Sequence, residues 1–147
     1  MRFRSLDELS DAGFLEAKQP DPTRVERWLI RSRADIDLAG RVLSEIDPER
    51  AITVAYEAGY RACAGLLLLA GFRVTSQPGH HRVTLEGAAA VSGVGLRPLV
   101  RRLDALRRFR NDSLYGDPPP VPSEELDQAL VDATELADLL ERRLGAR

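Results

Sequence analysis

The stretch from Glu49 to Ala70 is apolar on most of its sides. Ile52, Ala55, Tyr56, Ala58, Cys63, Leu66, Leu67 and Leu69 leave a helix built from it no wide polar face. Such a helix belongs at the centre of a bundle, because each of its sides needs a packing partner. Asp47-Pro48 breaks the chain before it, and Gly71 is placed to stop it as a C′ residue. The run Leu66–Leu69 is too short to span a bilayer.

The rest of the chain supplies partners. Thr23, with Glu26 three residues on, predicts a capping box opening a helix that runs to about Ile46. Its apolar positions are Val25, Trp28, Leu29, Ala34, Ile36, Leu38 and Val42, and Trp28 reads as core. Phe72 to Val74 is a short extended exit from the central helix. A further helix starts at about His81, with Val83, Leu85, Ala88, Ala89 and Val91 apolar. Another runs from about Arg97 to Leu114 through Leu99, Val100, Leu103, Leu106 and Phe109. Ser123 is positioned to cap the last, whose inner face is Leu126, Leu130, Ala133, Ala137, Leu140 and Leu144. No strand of useful length appears. The pattern predicts an all-α, antiparallel up-and-down bundle of four to five helices over residues 23–147. Residues 1–22 form an N-terminal arm or a short helix.

At 147 residues the chain is one ordinary domain with room for a real core. A net charge of −2 gives no global basic field for nucleic acid, so a polyanion site has to be local. Lys18 is the only lysine; every other basic side chain apart from the histidines is arginine, the better bidentate ligand for phosphate. Cys63 is the only cysteine, which excludes an internal disulfide or a thiolate cluster and fits a reducing cytoplasm. Cys63 reads as a small buried hydrophobe. The first residues lack the apolar region of a signal peptide. His80-His81 have no carboxylate or thiol at ligand spacing, so they read as packing at a helix start, with no metal or cofactor expected. Tyr56 and Tyr60 share one face of the central helix, and Glu57 with Arg61 reads as an i,i+4 pair.

Polar chemistry concentrates in residues 107–116, Arg107-Arg108-Phe109-Arg110-Asn111-Asp112-Ser113-Leu114-Tyr115-Gly116, ahead of the proline-rich Pro118–Pro122. Two readings are open. Asp104 with Arg108, and Arg108 with Asp112, are spaced as helix ion pairs, which makes a solvated, self-paired face. Alternatively Arg107, Arg108 and Arg110 form a local anion site for phosphate.

These residues resemble the HEPN (higher-eukaryote and prokaryote nucleotide-binding) family, over roughly Arg24 to Leu144. The central helix is Tyr- and Ala-rich and ends in Leu-Leu, Gly71 and Phe72-Arg73, as in many members. Gly79-His80-His81 is similar to the Gly-His pair that often opens the third helix. Arg110-Asn111 resembles the family motif of an arginine and a polar neighbour, followed by histidine after four to six intervening residues. In nucleases of the family two such motifs meet across a homodimer cleft. The arginine binds the scissile phosphate, the histidine does acid–base work, and RNA is cut without metal by its own 2′-hydroxyl.

Here the histidine is absent. Four intervening residues reach Tyr115, five or six reach Gly116 or Asp117, and no histidine follows His81. A phenol donates hydrogen bonds but is a poor general base at neutral pH. Some toxin members also carry a tyrosine two residues beyond the histidine, to which a partner nucleotidyltransferase adds nucleotides; Tyr115 is then that tyrosine, with Ser113 in the histidine position. The resemblance therefore implies a homodimeric, cytoplasmic, non-membrane protein of a toxin–antitoxin or defence system. It would bind RNA or nucleotide phosphate, with a degenerate ribonuclease motif and possible pairing with a nucleotidyltransferase-type antitoxin. One alternative is an active metal-independent endoribonuclease using Arg110, Asn111 and Tyr115. Another is a structural bundle for dimerisation or protein docking.

Overall fold

In the computed structural model the central helix, α4 (Pro48–Leu69), packs against α2 (Pro22–Leu38), α5 (His80–Ser92), α6 (Arg97–Tyr115) and α7 (Ser123–Gly145). The structure describes residues 1–115 and 121–146, with side chains for 1–109 and 121–146. Among these, α1 (Leu6–Asp11) and α3 (Ser44–Ile46) are short, and five long helices form an all-α bundle. Ala51, Ile52, Ala55, Ala58, Ala62 and Cys63 of α4 are fully buried, and Tyr56, Leu66, Leu67 and Leu68 nearly so. Fully burying one such leucine contributes about 1.5–3 kcal/mol.

Small residues set how closely the helices approach. A Cβ on Gly65 would lie 2.9 Å from Leu140 of α7, and one on Gly87 of α5 would lie 2.8 Å from Leu67 of α4. These are contacts that only a missing side chain permits.

Both long entry points use one device, and it corrects the capping expected at Thr23. Asp21 is the N-cap of α2, accepting from the Arg24 N–H at 3.1 Å, with Pro22 in the first turn. Asp47 does the same for α4 through Arg50 N–H at 3.1 Å, ahead of Pro48. An aspartate cap followed by proline outcompetes a threonine two residues later, since proline has no N–H to satisfy and its φ is already helical. Ser123 is likewise the first residue of α7 and makes no capping bond; Pro122 precedes it in the cap position. Gly71 ends α4 as anticipated, at φ +93°. Beyond Leu38, α2 continues through one π-helical stretch, Ala39–Leu43, into α3.

The N-terminal residues depart most from the sequence reading. Ser5 and Glu8 form a reciprocal capping box for α1, and Leu9 is fully buried. Strand β1 (Leu15–Ala17) then pairs antiparallel with β2 (Phe72–Val74), in the register Leu15↔Val74, Glu16↔Arg73, Ala17↔Phe72. A strand was not foreseen because three residues carry no readable alternation and the pairing spans more than fifty positions. Glu16 and Arg73, directly opposite, form an ion pair. Arg4 reaches α5, where Glu86 is fully buried: Nη2 lies 2.7 Å and Nε 3.0 Å from its carboxylate, and the Arg4 main-chain N–H donates at 3.1 Å.

Polar ties also join the long helices. Ser32 of α2 is buried and donates to the Ala58 carbonyl at 3.0 Å. Arg61 of α4 binds Asp35 of α2 at 2.9 Å, a tie across the bundle. Arg33 binds Asp138 of α7 at 2.7 Å.

Candidate functional site

The α6 sequence divides its arginines by helical position. Leu99, Val100 and Leu103 are buried against the main core, while Leu106 and Phe109 lean on a second cluster around Leu43, Ile52 and Leu126. The arginines take the remaining faces. Arg97 and Arg101 lie over the Phe3 ring, at 5.1 and 5.0 Å from its centroid. The N-terminal segment thus covers the first turns of α6.

Farther along α6, Asp104 is 4% exposed and organises its neighbours. Arg107 Nε lies 3.0 Å from its carboxylate and Arg108 Nη2 3.5 Å. The i,i+4 pairing of Asp104 with Arg108 is present, Arg107 joins the same buried carboxylate, and the pairing of Arg108 with Asp112 lies outside the described residues. Arg108 is held at longer range, and its side chain is 72% exposed. Of the arginines with described side chains in the 107–110 cluster, it is the one available to an incoming anion.

Between α6 and α7 lies a groove of about 660 Å³. Arg102 and Arg108 stand on one wall, Glu125 and Gln128 on the other, over an apolar floor of Leu106, Phe109 and Ala129. Asp132, buried on α7, accepts from Arg102 Nε at 2.8 Å, Arg102 Nη2 at 2.9 Å and Gln128 Nε2 at 2.9 Å. That two-pronged bond raises the Arg102 pKa above its ordinary value, burial opposing. With three donors on it, Asp132 is held as an anchor that ties Arg102 of α6 to α7. The groove thus offers one loosely held guanidinium, the paired Arg102 and Asp132, the Glu125 carboxylate and an apolar floor. A guanidinium of this kind can hold a phosphate oxygen, and the apolar floor gives a flat group a surface to rest on.

Arg110, Asn111 and Tyr115 lie on α6, and the Arg110–Asn111 turn directly follows the Phe109 that floors the groove. Their side chains lie outside the described residues. Cys63 is fully buried, and burial pushes its thiol up to about 12, so it is no nucleophile. The His80 and His81 rings lie tilted to each other with centroids 4.4 Å apart, and His81 lies 4.9 Å from the Tyr60 ring. Among the described residues no three His, Cys, Asp or Glu side chains converge as metal ligands.

Sequence reasoning passed over Arg102, Gln128 and Asp132. The signal was present in α7, where Asp132 falls on the same stripe as Ala129, Ala133 and Leu136. A carboxylate on an apolar stripe demands a buried partner. Comparison with protein-family models, curated proteins and solved structures finds no match to this chain.

Proposed function

We propose that this chain is a HEPN-like helical protein that binds RNA or a nucleotide phosphate along the C-terminal half of α6, with a ribonuclease motif too degenerate for efficient cleavage. The observation that carries this reading is the α6–α7 groove. It places the exposed Arg108 beside an apolar floor containing Phe109, immediately before the helical turn of Arg110 and Asn111. Guanidinium groups hold phosphate, and an aromatic floor gives a base a surface to lie on. Tyr115 in place of histidine withholds a general base at neutral pH. A homodimer is part of the proposal: Ile30, Leu38, Val42 and Ile46 are exposed along α2 and its continuation and offer apolar surface for pairing. A cytoplasmic toxin–antitoxin or defence role, with a nucleotidyltransferase-type partner, rests on the family resemblance.

The test is fluorescence anisotropy with a labelled single-stranded RNA in EDTA, alongside a gel assay for cleavage. Arg110→Ala and Arg108→Ala should each weaken binding about tenfold, the loss of one charge-assisted contact. Binding unchanged in both variants removes the site. Cleavage by the wild type that Tyr115→Phe abolishes replaces the binder with the endoribonuclease. A second reading, a protein-docking bundle, is favoured by the apolar groove floor itself. It takes precedence if no RNA binds at low salt, where phosphate contacts are strongest.

A further inference from the structure

A second cavity, of about 200 Å³, lies where α2, α4 and α5 meet the β1–β2 pair. It shares no residue with the α6–α7 groove. Three cations line it: Lys18 just after β1, Arg24 on α2 and Arg73 on β2. Among its described lining residues there is no carboxylate. The walls are aromatic, from Trp28, Tyr60 and Phe72, over Leu67 and Leu68. Trp28, expected in the core, is half-buried because it faces this space.

The polar groups inside are already committed. Thr84 Oγ1 donates to the His80 carbonyl at 2.9 Å, so in its 3.3 Å contact with Tyr60 the phenol is the donor. Recognition of charge therefore falls to the cations. Arg73 is paired with Glu16, and Arg24 is loosely paired with Asp21 at 3.7 Å, both on the surface. Lys18 has no ion pair among the described residues. An apolar pocket with a few convergent charges of one sign is the usual form of a small-molecule site. Its volume falls below the roughly 300–1,000 Å³ typical of larger ligands, which fits one ring better than a nucleotide.

We propose that this cavity binds a small aromatic monocarboxylate, its ring among Trp28, Tyr60 and Phe72 and its carboxylate against Lys18 and Arg24. Trp28 is the only tryptophan in the chain, so its emission reports occupancy directly. Phenylacetate is titrated into the full-length protein, followed by Trp28 fluorescence and by calorimetry on the same samples. The expected result is saturable binding with a dissociation constant of about 1 mM or tighter. Lys18→Ala and Arg24→Ala should each weaken it about tenfold, with unchanged far-UV circular dichroism, and neutral phenylacetamide should bind about tenfold more weakly. Saturable binding absent from both measurements overturns the proposal. So does equal binding of phenylacetamide, or binding unaffected by either substitution. AMP binding more tightly than phenylacetate overturns the ligand class.

Discussion

Replacing Arg4 with alanine should cost far more than its place at the end of the chain suggests. Glu86 is fully buried, and its carboxylate accepts three hydrogen bonds from residue 4: two from the guanidinium and one from the main chain. Arg4→Ala deletes the two charge-assisted bonds, each contributing about 1.5–3 kcal/mol. Two effects reduce the loss. The Arg4 side chain is 26% exposed, so water can enter where it stood. Arg82, whose Nε is 3.4 Å from the same carboxylate, can also move closer. The expected destabilisation is about 2–3 kcal/mol, above the ~1 kcal/mol ceiling of a surface pair. In a domain of this size that lowers Tm by roughly 4–12 °C. Arg4 also lies over the Phe14 ring at 5.0 Å, so the single variant mixes two losses. A double-mutant cycle with Glu86→Gln, measured by urea unfolding, isolates the carboxylate contact. A coupling energy of about 2 kcal/mol, little changed by added salt, is expected for a pair shielded this well. Coupling below about 0.5 kcal/mol would mean that the pair behaves as a surface contact and that burial does not govern its strength.

Three further outcomes can be measured on the same unfolding apparatus. Gly87→Ala gains about 1 kcal/mol of helix propensity but drives a methyl to 2.8 Å from Leu67, so it should destabilise by about 0.5–2 kcal/mol net; in a Leu67→Ala background the same change should become neutral or stabilising, and a penalty persisting there would show that Leu67 is not the obstacle. Arg102→Ala should destabilise more than Asp132→Ala, by roughly 1–2 kcal/mol, because the first strands a buried carboxylate while the second frees a half-exposed guanidinium to turn toward water; equal losses would contradict that asymmetry. The Cys63 thiol, pushed up to about 12 by burial, stays protonated in the folded chain while the unfolded thiol ionises near 8.5. Its stabilising effect is complete below the unfolded pKa and is lost as pH rises toward the folded one. Between about pH 9 and 12 the wild type should lose about 1.4 kcal/mol per pH unit relative to Cys63→Ala, and parallel curves for the two proteins would rule this out.

The helical architecture was legible because α4 displays its role in composition alone: a helix without a polar face has to be surrounded. The stop at Gly71 and the burial of Cys63 follow from the same local logic. What stayed hidden depended on distant partners. The β1–β2 pairing, Glu86 beneath Arg4 and Asp132 beneath Arg102 each join residues that no window of sequence brings together. Capping was misread at Thr23 because two plausible caps lay two residues apart and proline decided between them. Of the candidate site, the helix carrying Arg110, Asn111 and Tyr115 and the buried anchoring of Arg107 can be compared with structure. The three motif side chains lie outside the described residues.

The tie between Arg4 and Glu86 also has a consequence in time. Arg4 has its partner 82 positions later in the sequence. At a synthesis rate of roughly 5–20 residues per second, that partner appears on the order of ten seconds afterwards. For most of that interval Leu9 and Leu15 lack Leu67 and Val83, the buried residues that pack with them in the finished fold. The segment before α2 therefore cannot dock fully until α5 has been made, however early α1 itself forms.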